Sequence, residues 1–306
     1  MRTSATAYAP GSVGNVGPGL DILGLAVAGA GDEVTLTWSD ATGITVLDAG
    51  HPDLPSAAAK NTAAIAAQAV FTRAGITRGV ELRVHKGLPL SGGQGGSAAS
   101  AVAGAVAANF LADAGLDSAA LLECALVAES TVAGRHADNL APSLLGGLVL
   151  VRSLEPMDFI RVPLPSQLRV VLAHPDQRLR TRDARAVLPA DVSRATALQQ
   201  AANIAAMVMG AALGDLAMLG RALDDKIAEP ARAPLLPGFL AAKAAALAAG
   251  ALGCSISGAG PTAFALVDGE RIGAAVASAM RAAYAAAGVT ATVRVTTVDN
   301  DGARVW

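Results

Sequence analysis

The chain has 306 residues, of which 53% are hydrophobic and 3% aromatic, and its formal net charge is −2. This composition supports a large core and excludes global disorder, and the near-neutral charge with few aromatic rings argues against a general nucleic-acid binder. Only two cysteines occur, Cys124 and Cys254, so we expect a reducing compartment, no disulfide framework and two small core thiols.

The predicted elements of the first half are strands and helices arranged around two glycine-rich loops. Strands are predicted at 3–9, 33–38, 43–47, 79–85 and 147–152, the second and third paired with each other. A loop dense in turn residues occupies 10–21. Helices are predicted from an Asn61 cap to 74, at 97–114, and from an Asp117 or Ser118 cap to about 132.

The second half follows a predicted linker at 163–165. Its predicted strands are 168–173, 263–267 and 291–298, and its predicted helices are 181–187, 193–213, 215–223, 237–249 and 270–287. A third glycine-rich loop, 253–262, precedes the second of these strands. Strands and helices in this order predict an α+β sandwich.

The second glycine-rich loop, within 86–100, lies between a predicted strand and a predicted helix. It reads K-G-L-P-L-S-G-G-Q-G-G-S-A-A-S. Glycines let the backbone approach a ligand, and the free N–H groups and dipole at a helix N-terminus attract phosphate. Ser97 would lie in the first helical turn, within reach of a phosphate-bound Mg²⁺. A plain turn stays open as an alternative, whereas a Walker A loop and a dinucleotide fingerprint do not fit the spacing.

An uncharged stretch, 87–112, superficially suggests a membrane span. It consists mostly of Gly, Ala and Ser, with few lipophilic side chains, so a buried helix is the better interpretation. The N-terminal residues run into a polar, alternating segment rather than an apolar one, and we expect no signal peptide. These patterns predict a cytoplasmic enzyme that binds neither membranes nor nucleic acid.

Three loops of this type, in this order, resemble the GHMP kinase superfamily over nearly the whole chain. The superfamily motif P-x-x-x-G-L-G-S-S-A-A corresponds to 89–99, where Gln94 and Gly96 replace Leu and the first Ser. Within the superfamily, the homoserine kinase family is the most similar. Its motif A-P-x-S-x-A-N-x-G-P-G-F-D-x-L-G-x-A corresponds to 9–26, and segments 136–142, 181–185 and 232–238 match it too.

This resemblance implies a fold and an activity. The implied fold is α+β, with an N-terminal domain like ribosomal protein S5 domain 2 at 1–162 and a ferredoxin-like C-terminal domain at 163–306. The implied activity is phosphorylation of the L-homoserine side-chain hydroxyl, in threonine biosynthesis, by a homodimer using ATP and Mg²⁺. A kinase acting on mevalonate, a sugar or shikimate, or a non-catalytic nucleotide- or amino-acid-binding module, remains an alternative.

The resemblance also implies the residues of the site. Ser97 and Glu129 would hold Mg²⁺ and, with Asn139, form the catalytic set. The implied nucleotide contacts are Asn61, Lys86, Pro89, Gly92, Gly93, Gly95, Gly96, Ser97, Ala98 and Ser100. The implied substrate contacts are Asn15, Asp21, His136, Asn139, Thr181, Arg185, Arg232, Gly258 and Gly260.

Several of these roles have alternatives within the same segments. Arg185 and Arg232 would clamp the substrate carboxylate, since guanidinium groups match carboxylates in bidentate geometry, with Arg182 as the second choice for Arg185. Asn139 cannot act as a general base, because an amide does not accept a proton at neutral pH. Asp138 beside it either braces the turn, which we favour, or acts as the base. His136 either contacts substrate or packs.

Overall fold

The computed structural model describes residues 2–306. Within that range the strands are β1 Ser4–Gly14, β2 Leu23–Thr42, β3 Ile44–Asp48, β4 Arg78–Lys86, β5 Leu148–Leu154, β6 Met157–Val162, β7 Leu168–Pro175, β8 Gly253–Ile256, β9 Ala263–Asp268, β10 Ala291–Thr296 and β11 Arg304–Val305. The α-helices are α1 Thr62–Arg73, α2 Gly96–Ala112, α3 Ser118–Val132, α4 Leu140–Leu145, α5 Thr181–Ala186, α6 Arg194–Leu213, α7 Leu216–Ala222, α8 Ala228–Arg232, α9 Phe239–Ala248 and α10 Gly269–Ala286.

The first sheet is mixed and carries a helical layer. Among the described residues it has seven strands, in the order β11-β1-β2-β4-β3, with β5 paired to β2 and β6 to β5. Helix α2 contacts β1 and β2 and lies against α1 and α3. Its alanines are almost all fully buried, because small side chains let the helix approach the sheet and both neighbours closely.

The second sheet, in the part of the chain that the structure describes, has four antiparallel strands in the order β10-β7-β9-β8. Side chains alternate between its faces, as the pleat requires. Val171 and Ala173 pack with α9 and α10, whereas Val170 and Leu172 pack with α6 and α7. The latter cluster also contains residues from β2 and β5, so one shared core joins the two halves of the molecule.

Four predictions about the strands were wrong. Residues 10–14 continue β1 instead of beginning a loop, and β2 begins ten residues earlier than predicted. Strand β3 pairs in parallel with β4 and not with β2, because β1 and β4 already occupy both edges of β2 along this stretch. Residues 253–256 form β8, so the third loop begins at Ser257.

Other predictions were confirmed. Asn61 and Asp117 cap α1 and α3 with their side chains. Both cysteines are buried and free, and α2 lies in the core rather than across a bilayer. Among residues 2–306, no helix is both long and apolar enough to span a membrane. The domain division at 162/163 stays a prediction; β11, from the C-terminal end, pairs with β1 in the first sheet.

Candidate active site

A cavity of about 650 Å³ lies between the three glycine-rich loops, α3 and α5. All of the expected site residues line it except Ala98, which is fully buried in the first turn of α2. The walls come from segments far apart in the sequence, since the β1–β2 connection, the β4–α2 loop and the β8–β9 loop meet here. The fold therefore brings the expected residues together.

The N-terminus of α2 opens into this cavity. Gly95 is its N-cap, with φ of 68°, and no side chain of the described residues caps it. A Cβ at this position would lie 2.1 Å from the Ser12 hydroxyl, so the turn requires glycine. The first turn holds no acidic residue. Its N–H groups and the helix dipole are thus available to an anion at the end of a 17-residue helix.

A buried carboxylate beneath the loop was missed from the sequence. Asp32, which is fully buried, pairs with the Lys86 ammonium and accepts a hydrogen bond of 2.6 Å from the Ser100 hydroxyl. It also accepts from the amides of Gly87 and Leu88, at 3.2 and 3.3 Å. The Lys86 ammonium in turn donates to the Gly96 carbonyl. Lys86 and Ser100 therefore fix the shape of the loop, although both line the cavity.

Ser97 and Glu129 lie next to each other in the wall. The Ser97 hydroxyl donates to Glu129 Oε1 at 3.1 Å. The other oxygen, Oε2, is buried and has no hydrogen-bond partner among residues 2–306. Burial raises the pKa of Glu129 to about 7. Mg²⁺ favours few protein oxygens together with phosphates and water. The unpaired Oε2 of Glu129 and the Ser97 hydroxyl, next to the N-terminus of α2, therefore fit a divalent cation.

Asn15 and Asp138 hold the first loop against the rest of the site. The Asn15 side chain accepts from the amide of Asp21 and donates to the Gly258 carbonyl. Its own amide donates to Asp138 Oδ2 at 3.1 Å. Both polar ends of the Asn15 side chain are therefore engaged within the protein, which favours a role in shaping the loop.

Asn139 and Asn61 are engaged in the same way. Asn139 Oδ1 accepts from the Ser12 hydroxyl at 2.9 Å, and its nitrogen donates to Asp138. Asn61 accepts from the Ala64 amide and donates to the Pro55 carbonyl. Their side chains reach the cavity while making these internal hydrogen bonds.

The charged end of the cavity consists of Asp21, Arg185 and Arg232. Arg185, on α5, donates two hydrogen bonds to the Asp21 carboxylate, at 2.6 and 3.2 Å. Burial alone would raise the pKa of Asp21, but the Arg185 hydrogen bonds and charge outweigh it and lower this pKa. Arg232 is 2% exposed and donates to the carbonyls of Ala184 and Gly258. Thr181, at the start of α5, lines the same end.

His136 lies between the two ends of the cavity. Its Nε2 lies 2.8 Å from the Ala133 carbonyl, and its Nδ1 lies 3.4 Å from Asp138 Oδ1. Burial opposes the charged imidazole, but the Asp138 carboxylate outweighs it and raises the pKa of His136. Arg182 also lines the cavity, but it is exposed on α5 and its ion-pair partner, at 3.5 Å, is Asp183.

Comparisons with known proteins agree with this geometry. Family models described as GHMP kinases N terminal domain and GHMP kinases C terminal match residues 61–147 and 199–286. A homoserine kinase from Chlorobaculum tepidum is 40% identical, with 100% of this chain and 98% of the relative covered. One from Arabidopsis thaliana is 43% identical, with 99% and 84% covered.

The solved structure of a homoserine kinase from Cytophaga hutchinsonii superposes with a TM-score of 0.96 at 40% identity, covering 100% of this chain and 98% of that one. The chain belongs to the homoserine kinase family. A mevalonate diphosphate decarboxylase from Staphylococcus aureus, 16% identical with a TM-score of 0.74, shares the fold.

Two residues depart from the motif of the GHMP kinases, and the structure accounts for both. Gln94 is buried at the junction with the third loop, where its amide lies 3.4 Å from the Thr262 hydroxyl and 3.4 Å from Arg294. At Gly96, a Cβ would have nothing closer than 3.5 Å, so the backbone here does not require glycine for space. In this member of the homoserine kinase family, neither departure obstructs the N-terminus of α2.

The third loop closes the site from the second half of the molecule. Ser257 donates from its hydroxyl to the Gly93 carbonyl, and Thr262 does so to the Gly92 carbonyl. The amide of Gly258 donates to the Gly14 carbonyl at 3.0 Å. These bonds hold the third loop directly on the first two.

Proposed function

We propose that this chain transfers the γ-phosphoryl group of ATP to the side-chain hydroxyl of L-homoserine, giving O-phospho-L-homoserine and ADP. The observation that carries the proposal is the cavity with two unlike ends. One end is an uncapped helix N-terminus, and the other holds one carboxylate and two guanidinium groups. Homologues about 40% identical over the whole chain are homoserine kinases.

The phosphate end fits the donor. GHMP kinases use ATP as the phosphate donor. The triphosphate would lie along the loop 92–96, with its oxygens on the amides of the first turn of α2. The hydrogen bonds among Asp32, Lys86 and Ser100 hold that turn in place before ATP binds. Little conformational entropy of the loop is therefore lost on binding.

Mg²⁺ would be held by Ser97 and Glu129. The unpaired buried oxygen of Glu129 and the adjacent hydroxyl of Ser97 are the observations that support this assignment. When bound, the cation would neutralise the negative charge that develops on the phosphate oxygens during transfer.

The charged end fits a zwitterion. Asp21 would receive the ammonium of the amino acid, and Arg185 and Arg232 its carboxylate. In the free protein Asp21 and Arg185 satisfy each other. An amino acid offers an ammonium group to Asp21 and a carboxylate to Arg185 at the same time. Mevalonate, shikimate or a sugar would leave Asp21 without a cationic partner.

Proton transfer does not require a dedicated base in this arrangement. Asn139 is an amide engaged with Ser12 and Asp138. Asp138 accepts from the Asn15 amide and so braces the turn. The substrate hydroxyl would attack the γ-phosphorus directly and lose its proton late, since phosphoryl transfer depends mainly on alignment and charge neutralisation. We further propose that the enzyme works as a cytoplasmic homodimer in threonine biosynthesis.

A coupled assay for ADP release tests the reaction. With ATP and Mg²⁺, we expect turnover with L-homoserine and none with mevalonate, shikimate or a sugar. Turnover only with an acceptor that is not an amino acid would contradict the proposal and favour another GHMP kinase activity. No turnover with any acceptor would favour a non-catalytic binding module.

Matched arginine variants test the substrate end. Replacing Arg185 with Met removes a charge-assisted contact, so KM for homoserine should rise roughly ten- to a hundredfold while KM for ATP stays within about twofold. Replacing the exposed Arg182 with Met is the control and should change neither. The reverse pattern would assign the carboxylate to Arg182.

A further inference from the structure

Helix α8 carries Arg232 at its last position and is only five residues long. A helix this short does not hold its own conformation, because isolated helices below about 12 residues are marginal in water. Its N-terminal amides are instead held by the buried carboxylate of Asp225. The two oxygens of Asp225 accept from the amides of residues 227, 228 and 229, at 2.9, 3.0 and 2.8 Å. The position of Arg232 therefore depends on Asp225.

Gln200 joins Asp225 to the first glycine-rich loop. This residue lies on the buried side of α6 and is 5% exposed. Its Nε2 donates to Asp225 Oδ1 at 2.9 Å and to the Pro18 carbonyl at 2.7 Å. Its Oε1 accepts from the Lys226 amide at 2.8 Å. Both polar atoms of Gln200 are thus used, and one side chain connects α8 to the loop that carries Asp21.

The other end of α8 returns to the same loop. Arg232 donates from Nη1 to the Gly258 carbonyl at 2.9 Å. That carbonyl also accepts from the side chain of Asn15, in the first loop, at 3.1 Å. The hydrogen bonds therefore close on themselves. They run from the loop through Gln200, Asp225 and Arg232, and back to the loop through Asn15, and we refer to them as the α8 network.

The α8 network is buried. Asn15, Gln200, Asp225 and Arg232 are all between 2% and 6% exposed. Hydrogen bonds in such an environment are strong, and losing a partner there is costly. Over residues 2–306, the lining of the cavity includes Asn15 and Arg232 but neither Gln200 nor Asp225. Gln200 and Asp225 can therefore influence a ligand in the cavity only through the residues that they hold.

We propose that Gln200 and Asp225 are positioning residues for the amino-acid substrate, an inference that rests on the proposed function. Together they fix Arg232 at a set distance from Asp21. The ammonium and carboxylate of an α-amino acid are joined through one carbon atom, so the groups that receive them must keep a fixed separation. Holding that separation before binding avoids an ordering cost, and it keeps the substrate hydroxyl aligned with the phosphate.

Gln200→Met tests the inference, since methionine has a similar size but makes none of the three hydrogen bonds. In the full chain, KM for homoserine should rise roughly tenfold. KM for ATP should stay within about twofold, because the N-terminus of α2 lies outside the α8 network. Asn109→Leu is the matched control. It removes two hydrogen bonds to Leu116, at the far end of α2, and should leave both KM values within about twofold.

Two further variants separate positioning from general support of the fold. In an Arg232→Lys background the guanidinium is absent, so Gln200→Met should raise KM for homoserine by no more than about a further twofold. Asp225→Asn breaks the network at its next member, because an amide nitrogen cannot accept from the Glu229 amide. It should raise the same KM, and its effect should not multiply with that of Gln200→Met.

An unchanged KM for homoserine in both Gln200→Met and Asp225→Asn would overturn the inference. So would a full effect of Gln200→Met in the Arg232→Lys background, or an equal rise in Asn109→Leu, because either would mean that Gln200 does not act through Arg232. Turnover by the wild type is a separate result. Its absence would contradict the proposed function, whereas an active wild type with insensitive variants would contradict only the positioning role.

Discussion

The Asp32 carboxylate accepts hydrogen bonds from four donors: the Lys86 ammonium, the Ser100 hydroxyl, and the amides of Gly87 and Leu88. These groups belong to the end of β4, the start of the loop and the first turns of α2. One buried anion therefore joins three segments whose relative positions define the phosphate site. Breaking such a pair leaves an uncompensated charge in the interior.

Removing the charge of Asp32 alone should be costly. Asp32→Asn leaves Lys86 buried without its counter-charge, so the free energy of unfolding should fall by about 3 kcal/mol. Asp32→Asn with Lys86→Met removes both charges and should cost less than Asp32→Asn alone. Urea unfolding of the wild type, the two single variants and the double variant measures the coupling. Costs that simply add would show that the two charges do not stabilise each other.

The Asp21–Arg185 pair should make stability depend on pH. The folded-state pKa of Asp21 is lowered from 3.8, so the pair stabilises the protein above that pH and the effect is lost as pH falls through the folded value. Asp21→Asn retains a residue tolerated at its φ of 61°. At pH 7 the variant should be less stable by about 0.5–1 kcal/mol, discounted for partial exposure.

Urea unfolding at several pH values from 7 down to about 2.5, below the ordinary pKa of Asp21, measures this effect. The difference between wild type and Asp21→Asn should shrink toward the acid end. A difference that is constant across the range, or that grows as the pH falls, would show that Arg185 does not stabilise the Asp21 carboxylate.

At single positions, the sequence predicted the residues that belong to a recognisable motif. It did not predict residues whose role depends only on tertiary contacts. Ser97 and Glu129, 32 residues apart, were expected to meet and do. Asp32 lies just before a predicted strand and belongs to no motif, and its partners lie 54 and 68 positions further along the chain. No local pattern reports such a contact. For the same reason, Asn15 could be placed in the site but not assigned to hold the loops together.

At the scale of elements, the two glycines before and at the start of α2 have different roles. Gly95 has φ of 68°, and a Cβ there would collide with the Ser12 hydroxyl. Gly96 → Ala meets only ordinary contacts, and it should leave stability unchanged or raise it by up to about 1 kcal/mol. Its KM for ATP should stay within about twofold.

Gly95→Ala is the matched partner of that variant. It should lower the free energy of unfolding by at least about 2 kcal/mol and raise KM for ATP more than about tenfold, because the turn that presents the α2 amides must shift. Steady-state kinetics and urea unfolding of both variants provide the comparison. Equal effects at the two positions would contradict the view that only Gly95 sets the geometry of the turn.

Helices were predicted more accurately than strands, and the reason is physical. Asn61 and Asp117 mark helix starts by a local hydrogen bond that can be read from a few residues. The partner of β3 depends instead on which edges β1 and β4 have already occupied. The extension of β1 through Pro10–Gly14 likewise depends on its pairing with β2. The turn-forming residues in this segment predicted a loop instead.

At the scale of the whole molecule, the site lies at the junction of the two sheets. Gln94 belongs to this junction, since its neighbours Thr262 and Arg294 come from the second half of the chain. Replacing Gln94 with Leu removes both contacts and should lower the free energy of unfolding by about 1 kcal/mol. KM for ATP should stay within about twofold.

Thermal or urea unfolding together with ATP kinetics checks the role of Gln94. An unchanged stability with a much lower KM for ATP would show instead that this side chain faces the nucleotide. Ser39→Ala, at a half-buried strand position away from the junction, is a control that should affect neither quantity by much.

The central claim is that phosphates occupy the N-terminus of α2 while a zwitterionic amino acid occupies the other end of the same cavity. A crystal structure with a non-hydrolysable ATP analogue, Mg²⁺ and L-homoserine tests it most directly. We expect phosphate oxygens on the amides of the first turn of α2, the homoserine ammonium on Asp21, and its carboxylate on Arg185 and Arg232. An analogue bound elsewhere, or a homoserine turned so that its carboxylate leaves both arginines, would contradict the account.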